Sequence, residues 1–330
     1  MDWSHLVFWF VVALSYIYAF FSGSGDAANA LATSIASRAI NPTAAIRWGA
    51  FLQFLGALFG TGVALTISSS LVSLDMINLN IVFSAVLAML IWTLLTYFFS
   101  IPVSDTHSLV GSLLGAAVAW KGFEVIIWSG VTKVAIAIIV SPILGLIGGY
   151  IFLHLISSFT HSQKTVKMRH IFKKLQVATA GFNSFSNGLN NAQKPMGLIL
   201  MALVLYQQSG TKVMEVPFWL ILSVALTQAV GVIFGLRLIK TVGMKISHLS
   251  PEQGFSAQFA AGLVMQIASL LGVPVSSTQV ITSSIVGAGA SRRVGSVRWQ
   301  VVQEIGLSWL FTLPATIFLG YVISSLMSFI

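Results

Sequence analysis

Long apolar segments recur along this chain, and they restrict its fold more than any other feature of the sequence. Segments 80–101, 134–156 and 302–326 are each long enough to cross the hydrocarbon core of a bilayer as a helix. Charged residues make up 8% of the chain, whereas soluble domains contain about 25%. The sequence therefore predicts an all-α polytopic membrane protein, because backbone in lipid must satisfy its hydrogen bonds internally.

Two parts of the chain resemble each other. The segment "PVSDTHSLVGSLLGAAVAWK" at 102–121 matches "PVSSTQVITSSIVGAGASRR" at 274–293. A weaker match sets "GSGDAANA" at 23–30 opposite "GLNNAQKP" at 188–195. Internal similarity of this kind is typical of transporters that are built from structural repeats. Further positions keep the offset of the first match: Gly115 and Gly287, Pro142 and Pro314, and Gly148 and Gly320.

The charge distribution predicts opposite orientations for the two halves. The segment 161–174 contains five Lys and Arg residues and no acid, and basic loops of membrane proteins stay in the cytoplasm. We therefore expect a plasma-membrane protein with a cytoplasmic central loop, both termini outside, and repeats of inverted topology whose broken or re-entrant half-helices meet at a midplane site. The predicted units are a first transmembrane repeat at 1–157, a basic linker at 158–175 and a second repeat at 176–330.

Charge and cysteine content narrow the function further. The net charge of +9 comes from basic residues in short connectors, so we expect membrane lipid as a partner and no nucleic acid. The chain has no cysteine, which excludes a disulfide framework and thiolate chemistry. The sequence also has no metal-ligand cluster, nucleophile–base set or Walker-type phosphate loop. We therefore expect neither an enzyme nor a resident cofactor.

The first interrupted segment is "FSGSGDAANA". We predict that Gly23, Ser24 and Gly25 break the helix and that Asp26 begins a new half-helix, where a carboxylate is stabilised by the helix dipole. An unpaired carboxylate within a bilayer is costly, and a bound cation would offset that cost. Asn29 lies on the same helical face, where it would serve either as a cation ligand or as an interhelical hydrogen-bonding group.

The second copy, "SNGLNNAQKP", is dense in amides. Asn190, Asn191 and Gln193 can bind either cations or oxyanions, because each amide offers a carbonyl and an N–H group. Lys194 would either neutralise an anion or extend to a membrane interface. Pro195 fits the first turn of a new helix, where its missing N–H costs little.

The two Pro-Val-Ser copies predict helix starts. Pro102 and Pro274 each end an apolar run, and the hydroxyl residues that follow are good N-caps. Exposed N–H groups and hydroxyls at a helix N-terminus also form an anion site, and two such termini would meet at one tetrahedral oxyanion. Together with Asn190, Gln193 and Lys194, the candidate substrate residues are Ser104, Thr106, Ser276, Ser277, Thr278 and Gln279.

Four segments together resemble the PiT family of inorganic phosphate transporters. They are "GDAANALATSIASRAINP", "NNAQKPMG", "PVSDTHSLVGSLLG" and "VPVSSTQVITSSIVGAGASRRVGSVRW". The resemblance spans nearly the whole chain and implies a homodimeric symporter that imports phosphate with Na⁺ or H⁺ by alternating access. It implies that the hydroxyl motifs hold phosphate and that the Asp and Asn motifs, here at Asp26, Asn29, Asn190 and Gln193, help to bind cations.

The chain departs from the family pattern at three positions. Gly25 replaces an Asn or His, Asn191 replaces an Asp, and Asp105 replaces a Ser or Thr. Either Asp105 supplies the missing carboxylate at a shifted position, or the coupling ion or the anion differs from the family's usual one. The candidate cation residues are Asp26, Asn29, Asn191 and Asp105, with Na⁺ assigned to the first three.

Other functions remain open at this point. The same donors suit sulfate or another tetrahedral oxyanion. A channel or a non-transporting sensor on the same scaffold would retain the same helices. The basic linker is also a candidate site for an accessory regulatory protein.

Overall fold

Helices make up almost all of the chain that the structure, a computed structural model, describes: residues 3–99, 101–160, 165–207, 215–235 and 250–329. No β-strand occurs within these ranges, which confirms the all-α prediction. The helices are α1 (Trp3–Ala36), α2 (Pro42–Ala57), α3 (Gly62–Ser69), α4 (Leu79–Phe99), α5 (Asp105–Lys121), α6 (Trp128–Thr160), α7 (Thr165–Asn191), α8 (Gln193–Gln207), α9 (Phe218–Phe234), α10 (Pro251–Leu270), α11 (Ser277–Arg292) and α12 (Trp299–Met327).

Several of the described helices are suited to crossing a membrane. By length and composition, α1, α4, α6 and α12 are spans, and α2 with α3 forms another if their 63° bend lies within one span. Helices α5 and α11 have 17 and 16 residues and are shorter than a full span requires. Each follows a longer helix, α4 or α10, through a turn that contains a proline, so each completes a helical hairpin. The protein is a multi-pass membrane protein.

Helices α6 and α12 form much of the apolar outer surface of the described residues. In α6 and α12, only 22% of an apolar stretch of 18 residues is buried inside the protein, against 50% in α1 and 56% in α4. Their outward side chains are large and apolar, as bilayer contact requires. They include Ile139, Ile143, Leu310, Phe311 and Phe318.

The largest apolar core lies among α1, α3, α4, α5, α8 and α9. Fully buried side chains such as Val11, Ile67, Met89 and Leu113 belong to it. Ala192, which separates α7 from α8, also lies in this core. The chain is therefore held firmly where its helix is interrupted.

Each hairpin packs against the last helix of the opposite half. Helix α5 lies along α12, and α11 lies along α6. A side chain at Gly115 of α5 would collide with the carbonyl oxygen of Ile317, and one at Gly287 of α11 would collide with that of Leu146. These two glycines occupy matching positions in the two similar segments, and they let the helix backbones approach closely.

The predicted helix break at Gly23, Ser24 and Gly25 is wrong. Helix α1 runs without interruption from Trp3 to Ala36, so Asp26 lies within a helix and does not begin one. The small residues serve packing instead. A side chain at Gly23 would collide with the backbone of Gln228 in α9, and Ser24 donates a 2.8 Å hydrogen bond to the carbonyl oxygen of Gly231.

The interruption predicted in the second half is present. Helix α7 ends at Asn191 and α8 begins at Gln193, with Pro195 in its first turn. The described part of the linker, 158–175, is helical, because it comprises the end of α6 and the first turns of α7. His161 and Lys164 lie outside the described residues.

Candidate functional site

Asp26, in the second half of α1, is the acid around which buried polar groups collect. It is 1% exposed. Its Oδ1 atom accepts a 2.6 Å hydrogen bond from Asn191 of α7. Its Oδ2 atom accepts hydrogen bonds of 3.0 Å from Gln53 of α2 and 3.2 Å from Gln228 of α9. Three amides from three other helices therefore replace water that this carboxylate loses on burial.

Asn191 joins the two motif copies. Its Nδ2 atom donates to Asp26 and also, at 3.0 Å, to the hydroxyl of Ser277 in α11. Its Oδ1 atom accepts hydrogen bonds of 2.9 Å from Asn190 and 2.7 Å from Lys194. One amide at the end of α7 thus connects an acid, a base and the first turn of the second hairpin.

Lys194 is fully buried, so it does not extend to a membrane interface. Its Nζ atom donates a hydrogen bond to Oδ1 of Asn191, and the Nδ2 atom of Asn191 donates one to Asp26. One side chain therefore links the ammonium group to the carboxylate. Burying an ammonium group is costly unless opposite charge lies nearby. Asp26 and Asp105 are the acids that interact with it electrostatically.

The turns of the two hairpins start their helices as the sequence predicts. Ser104 caps α5 by accepting a 3.2 Å hydrogen bond from the backbone N–H of His107. Ser276 caps α11 by accepting a 3.4 Å hydrogen bond from the backbone N–H of Gln279. Each cap satisfies an N–H group that has no partner within its helix.

The two hairpin turns also meet. The carbonyl oxygen of Val275 accepts hydrogen bonds of 2.8 Å from Thr106 and 2.9 Å from Asn190. Across the same region, Asn29 of α1 donates a 3.0 Å hydrogen bond to the hydroxyl of Thr278. The N-terminal turns of α5 and α11 therefore lie together beside Asp26 and Asn191.

A cleft of about 90 Å³ adjoins this cluster. Its lining brings together Asp26, Asn29, Asp105 and Thr278, which are distant in sequence. Within it, Ser22 donates a 3.2 Å hydrogen bond to Oδ2 of Asp105. The cleft thus holds two carboxylates, an amide and hydroxyl groups, which are oxygen-rich donors of the kind that hard cations prefer.

Other predicted residues lie away from the cleft. The Oε1 atom of Gln193 accepts hydrogen bonds of 2.7 and 3.2 Å from the backbone N–H groups of Val63 and Ala64. It therefore caps α3. Gln279 is 4% exposed, and its Oε1 atom has no hydrogen-bond partner among the described residues. Lys194 is directed at Asn191 and does not line the cleft.

The cluster and both hairpins lie within a region that matches a known family. A model of the Phosphate transporter family matches residues 22–320. The chain belongs to this family. The resemblance that the sequence motifs indicate is thereby confirmed.

Relatives within the phosphate transporter family cover nearly the full chain. A probable low-affinity inorganic phosphate transporter of Rhizobium meliloti is 36% identical over 92% of this chain and 92% of its own. One from Bacillus subtilis is 36% identical over 94% of each. A solved structure, "The sodium-dependent phosphate transporter", superposes with a TM-score of 0.89 at 25% identity and covers 98% of this chain and 100% of its own.

Gln53 and Gln228 contact Asp26 in this family member, yet they were not among the candidates from sequence. A signal for them exists. Both begin the pattern Gln-x-x-Gly-x-x-Phe-Gly, as "QFLGALFG" at 53–60 and "QAVGVIFG" at 228–235. A glutamine inside an apolar span is itself an indication of a polar partner. Ser22, the partner of Asp105, has no comparable signal because serine is common in packed membrane helices.

Proposed function

We propose that this member of the phosphate transporter family imports inorganic phosphate across the plasma membrane by symport with a cation. The observation that carries the proposal is the junction of Asp26, Asn191 and Lys194 with the first turns of α5 and α11. A cation site and an anion site there share groups, so one solute affects the binding of the other.

The anion part of the proposal rests on two helix N-termini. Helix N-termini attract oxyanions through free N–H groups and the helix dipole, and those of α5 and α11 meet at Val275. Lys194 adds a positive charge within the same cluster. The residues assigned to phosphate are Ser104, Thr106, Asn190, Gln193, Lys194, Ser276, Ser277, Thr278 and Gln279. In the described conformation, several of these groups bond to each other or to backbone, so phosphate binding requires their exchange.

The cation part rests on charge. In their ionised forms, Asp26, Asp105 and Lys194 give the cluster one more negative than positive charge. An oxyanion entering alone would be repelled, whereas a cation at the carboxylates removes the repulsion. Coupling then follows from electrostatics in a low-dielectric site.

Na⁺ is the first candidate for the coupling ion, and H⁺ is the alternative. The solved structure that resembles this chain is called sodium-dependent, and the cleft offers carboxylate, amide and hydroxyl oxygens. The sequence assigns Na⁺ to Asp26, Asn29 and Asn191. Because Asn191 donates an N–H to Asp26 and does not line the cleft, we instead propose Na⁺ among Asp26, Asn29 and Asp105, with Asn191 holding Asp26 in position. With H⁺ as the coupling ion, one of the carboxylates would instead be protonated.

Alternating access requires two halves that exchange roles. Gly56 of α2 packs on the carbonyl oxygen of Phe185, and Gly231 of α9 packs on that of Phe20. The two glycines hold the same place in the two Gln-x-x-Gly patterns, and the two phenylalanines keep the offset that relates Asp26 to Asn191. Equivalent elements therefore make equivalent contacts, which supports inverted repeats at 1–157 and 176–330.

Orientation and partners complete the proposal. We propose that the basic start of α7 lies in the cytoplasm and that both termini lie outside. Its basic residues are Lys167, Arg169, Lys173 and Lys174. The apolar outer faces of α6 and α12 would contact lipid and the second subunit of a homodimer. The basic segment would accept an accessory regulatory protein.

Uptake of radiolabelled phosphate into proteoliposomes tests this function. Under an inward Na⁺ gradient and then an inward H⁺ gradient, uptake that exceeds the equilibrium level with one of them identifies a symporter and its coupling ion. Labelled sulfate is the rival substrate. Accumulation of sulfate but not phosphate would mean that sulfate is the transported substrate. Uptake that never exceeds equilibrium indicates a channel, and no uptake in protein that remains folded indicates a non-transporting sensor.

A further inference from the structure

Asn183 and Asn187 lie one helical turn apart on α7, and both are fully buried. Neither the amide nitrogen nor the carbonyl oxygen of either side chain has a hydrogen-bond partner in the part of the chain that the structure describes. Buried amides are normally satisfied, because the interior does not replace lost water without a partner. Two complete amides left unpaired in one turn therefore indicate groups that find their partners in a different conformation.

The helix opposite these amides is α10. On either side of Asn187, Ser186 donates a 3.2 Å hydrogen bond to Gln266, and Asn190 donates to the carbonyl oxygen of Val275. Ser269 lies between Gln266 and Val275 in sequence; it is buried, and its hydroxyl has no partner among the described residues. We define the closed polar seam between α7 and α10 by Asn183, Asn187 and Ser269.

The first half carries polar groups at the equivalent positions. At the offset that relates Asp26 to Asn191, Asn183 corresponds to Tyr18, and Asn187 corresponds to Ser22. The side chain of Tyr18 is also fully buried. Ser22, in contrast, lines the cleft and bonds to Asp105. The position that Ser22 and Asn187 share thus adjoins a cleft in one half and a closed seam in the other.

The two sets of residues lead toward opposite ends of the molecule. Helices α1 and α7 run antiparallel, because Asp26 contacts Asn191 while Ser34, further along α1, contacts Gln176, earlier in α7. Tyr18 and Ser22 lie on the N-terminal side of Asp26. Asn183 and Asn187 lie on the N-terminal side of Asn191. From the central cluster, the two routes therefore point in opposite directions.

Polar contacts close the far end of the seam. Ser34 of α1 donates a 3.2 Å hydrogen bond to Gln258 of α10, which in turn donates at 2.9 Å to the carbonyl oxygen of Ala30. Ser37 donates a 2.6 Å hydrogen bond to Gln176. Hydrogen bonds between neutral groups can exchange with water as helices separate, whereas a packed apolar plug has no such substitute.

We propose that Asn183, Asn187 and Ser269 line a second access route, closed in this structure, which opens to the opposite membrane face when the cleft beside Ser22 closes. Amides suit such a route, because they donate to an oxyanion such as phosphate and accept from the water around a cation. Opening would supply the partners that the buried amides lack. This assignment rests on the proposed function, because it names the residues that would line the second route of its alternating access.

Single cysteines test the route directly, because the chain contains none of its own. The variants S22C and N187C mark equivalent positions in the two halves. Each would be placed in sealed vesicles of one defined orientation and treated with a charged, membrane-impermeant thiol reagent from either face, with and without Na⁺ and phosphate. L113C is the control, because Leu113 is fully buried in the apolar core.

We expect S22C and N187C to react from opposite faces. A condition that raises the labelling rate of one several-fold should lower that of the other, while L113C stays unlabelled. Reaction of both from the same face would overturn the proposal. So would rates that rise and fall together, or N187C remaining as inert as L113C in every condition.

Two further variants guard against misfolding. Gly25 lines the cleft and Asn183 lies in the seam. G25C can therefore replace S22C, and N183C can replace N187C, if the first variant does not elute as a single symmetric peak in size-exclusion chromatography. The outcome is also separable from that of the uptake assay. Reciprocal labelling without phosphate uptake would support the second access route and show that the substrate is not phosphate. Phosphate uptake without reciprocal labelling would keep the substrate and reject the route.

Discussion

Asn191 donates a 2.6 Å hydrogen bond to Asp26, and these two residues occupy equivalent positions in the two copies of one motif. The copies therefore contact each other at the same position. An amide facing a carboxylate forms a hydrogen bond without any third group. Two carboxylates in the same place would repel each other unless a cation lay between them.

Restoring an acid at this position should increase the dependence on cations. In N191D, the donor to Asp26 is lost and two carboxylates come into contact; Lys194 can neutralise only one of them, so an added cation should stabilise the folded state. We expect the Tm in detergent to rise more steeply with Na⁺ concentration than in the unsubstituted protein, and the initial rate of phosphate uptake to fall more sharply when Na⁺ is withdrawn. N190D is the comparison, because Asn190 donates to Asn191 and to the carbonyl oxygen of Val275 but does not contact Asp26 by a hydrogen bond. Identical Na⁺ dependence in N191D and the unsubstituted protein would contradict the role of Asn191.

Removing the charge of Asp105 should abolish coupled uptake. D105N keeps the shape of the side chain but leaves the cleft with one carboxylate fewer for the cation. We expect the initial rate of phosphate uptake to fall at least tenfold, or about 1.4 kcal/mol in the barrier, with a weaker dependence on the coupling ion. S22A serves as the matched variant, since it removes only the hydrogen bond to Asp105 and should have a smaller effect. Unchanged uptake and ion dependence in D105N would rule out the replacement of the missing family acid by Asp105.

Removing the ammonium group of Lys194 should destabilise the protein. In K194M, the carboxylates of the cluster lose their buried positive partner, and losing one member of a buried charge pair costs about 3–5 kcal/mol. Denaturant titration in detergent would measure the loss in the free energy of unfolding. K174M makes the same substitution at an exposed position and should change this free energy little. A K194M protein as stable as K174M would show that Lys194 does not balance the charge of the cluster.

Two glycines should respond to alanine in opposite ways. At Gly115, an added methyl group would collide with the carbonyl oxygen of Ile317, and overpacking of this kind costs about 1–3 kcal/mol. At Gly25, no atom lies within 4 Å of the added group, and alanine in a helix is favoured over glycine by about 0.5–1 kcal/mol. Thermal unfolding should therefore show a lower Tm for G115A and an equal or higher Tm for G25A. The reverse order would mean that the close approach of α5 and α12 is not held by Gly115.

Local features of the fold were predictable from sequence because they depend on nearby residues. Ser104 and Ser276 cap their helices as expected, since a cap needs only a hydroxyl three residues before an unpaired N–H group. The interruption before Gln193 was likewise predictable from Pro195 and the amides around it. Apolar length was sufficient to place α4, α6 and α12.

Features that depend on distant contacts were not predictable in the same way. Glycine serves equally well to break a helix and to let another helix approach, so Gly23 could be interpreted either way until α9 was seen beside it. The motif around Gln193 did not predict that this side chain also caps α3, a helix from the other half of the chain. The partners of Asp26 come from α2, α7 and α9, and no local rule brings those helices together.

The exchange of helices between the halves has a consequence for biosynthesis. Helix α5 is made early, but the surface on which its Gly115 face packs belongs to α12, the last helix described. Until α12 leaves the ribosome, the first hairpin has no partner for that face. The first half therefore cannot finish packing until the second half has been synthesised. Two fragments divided between α6 and α7 should assemble only when they are synthesised together.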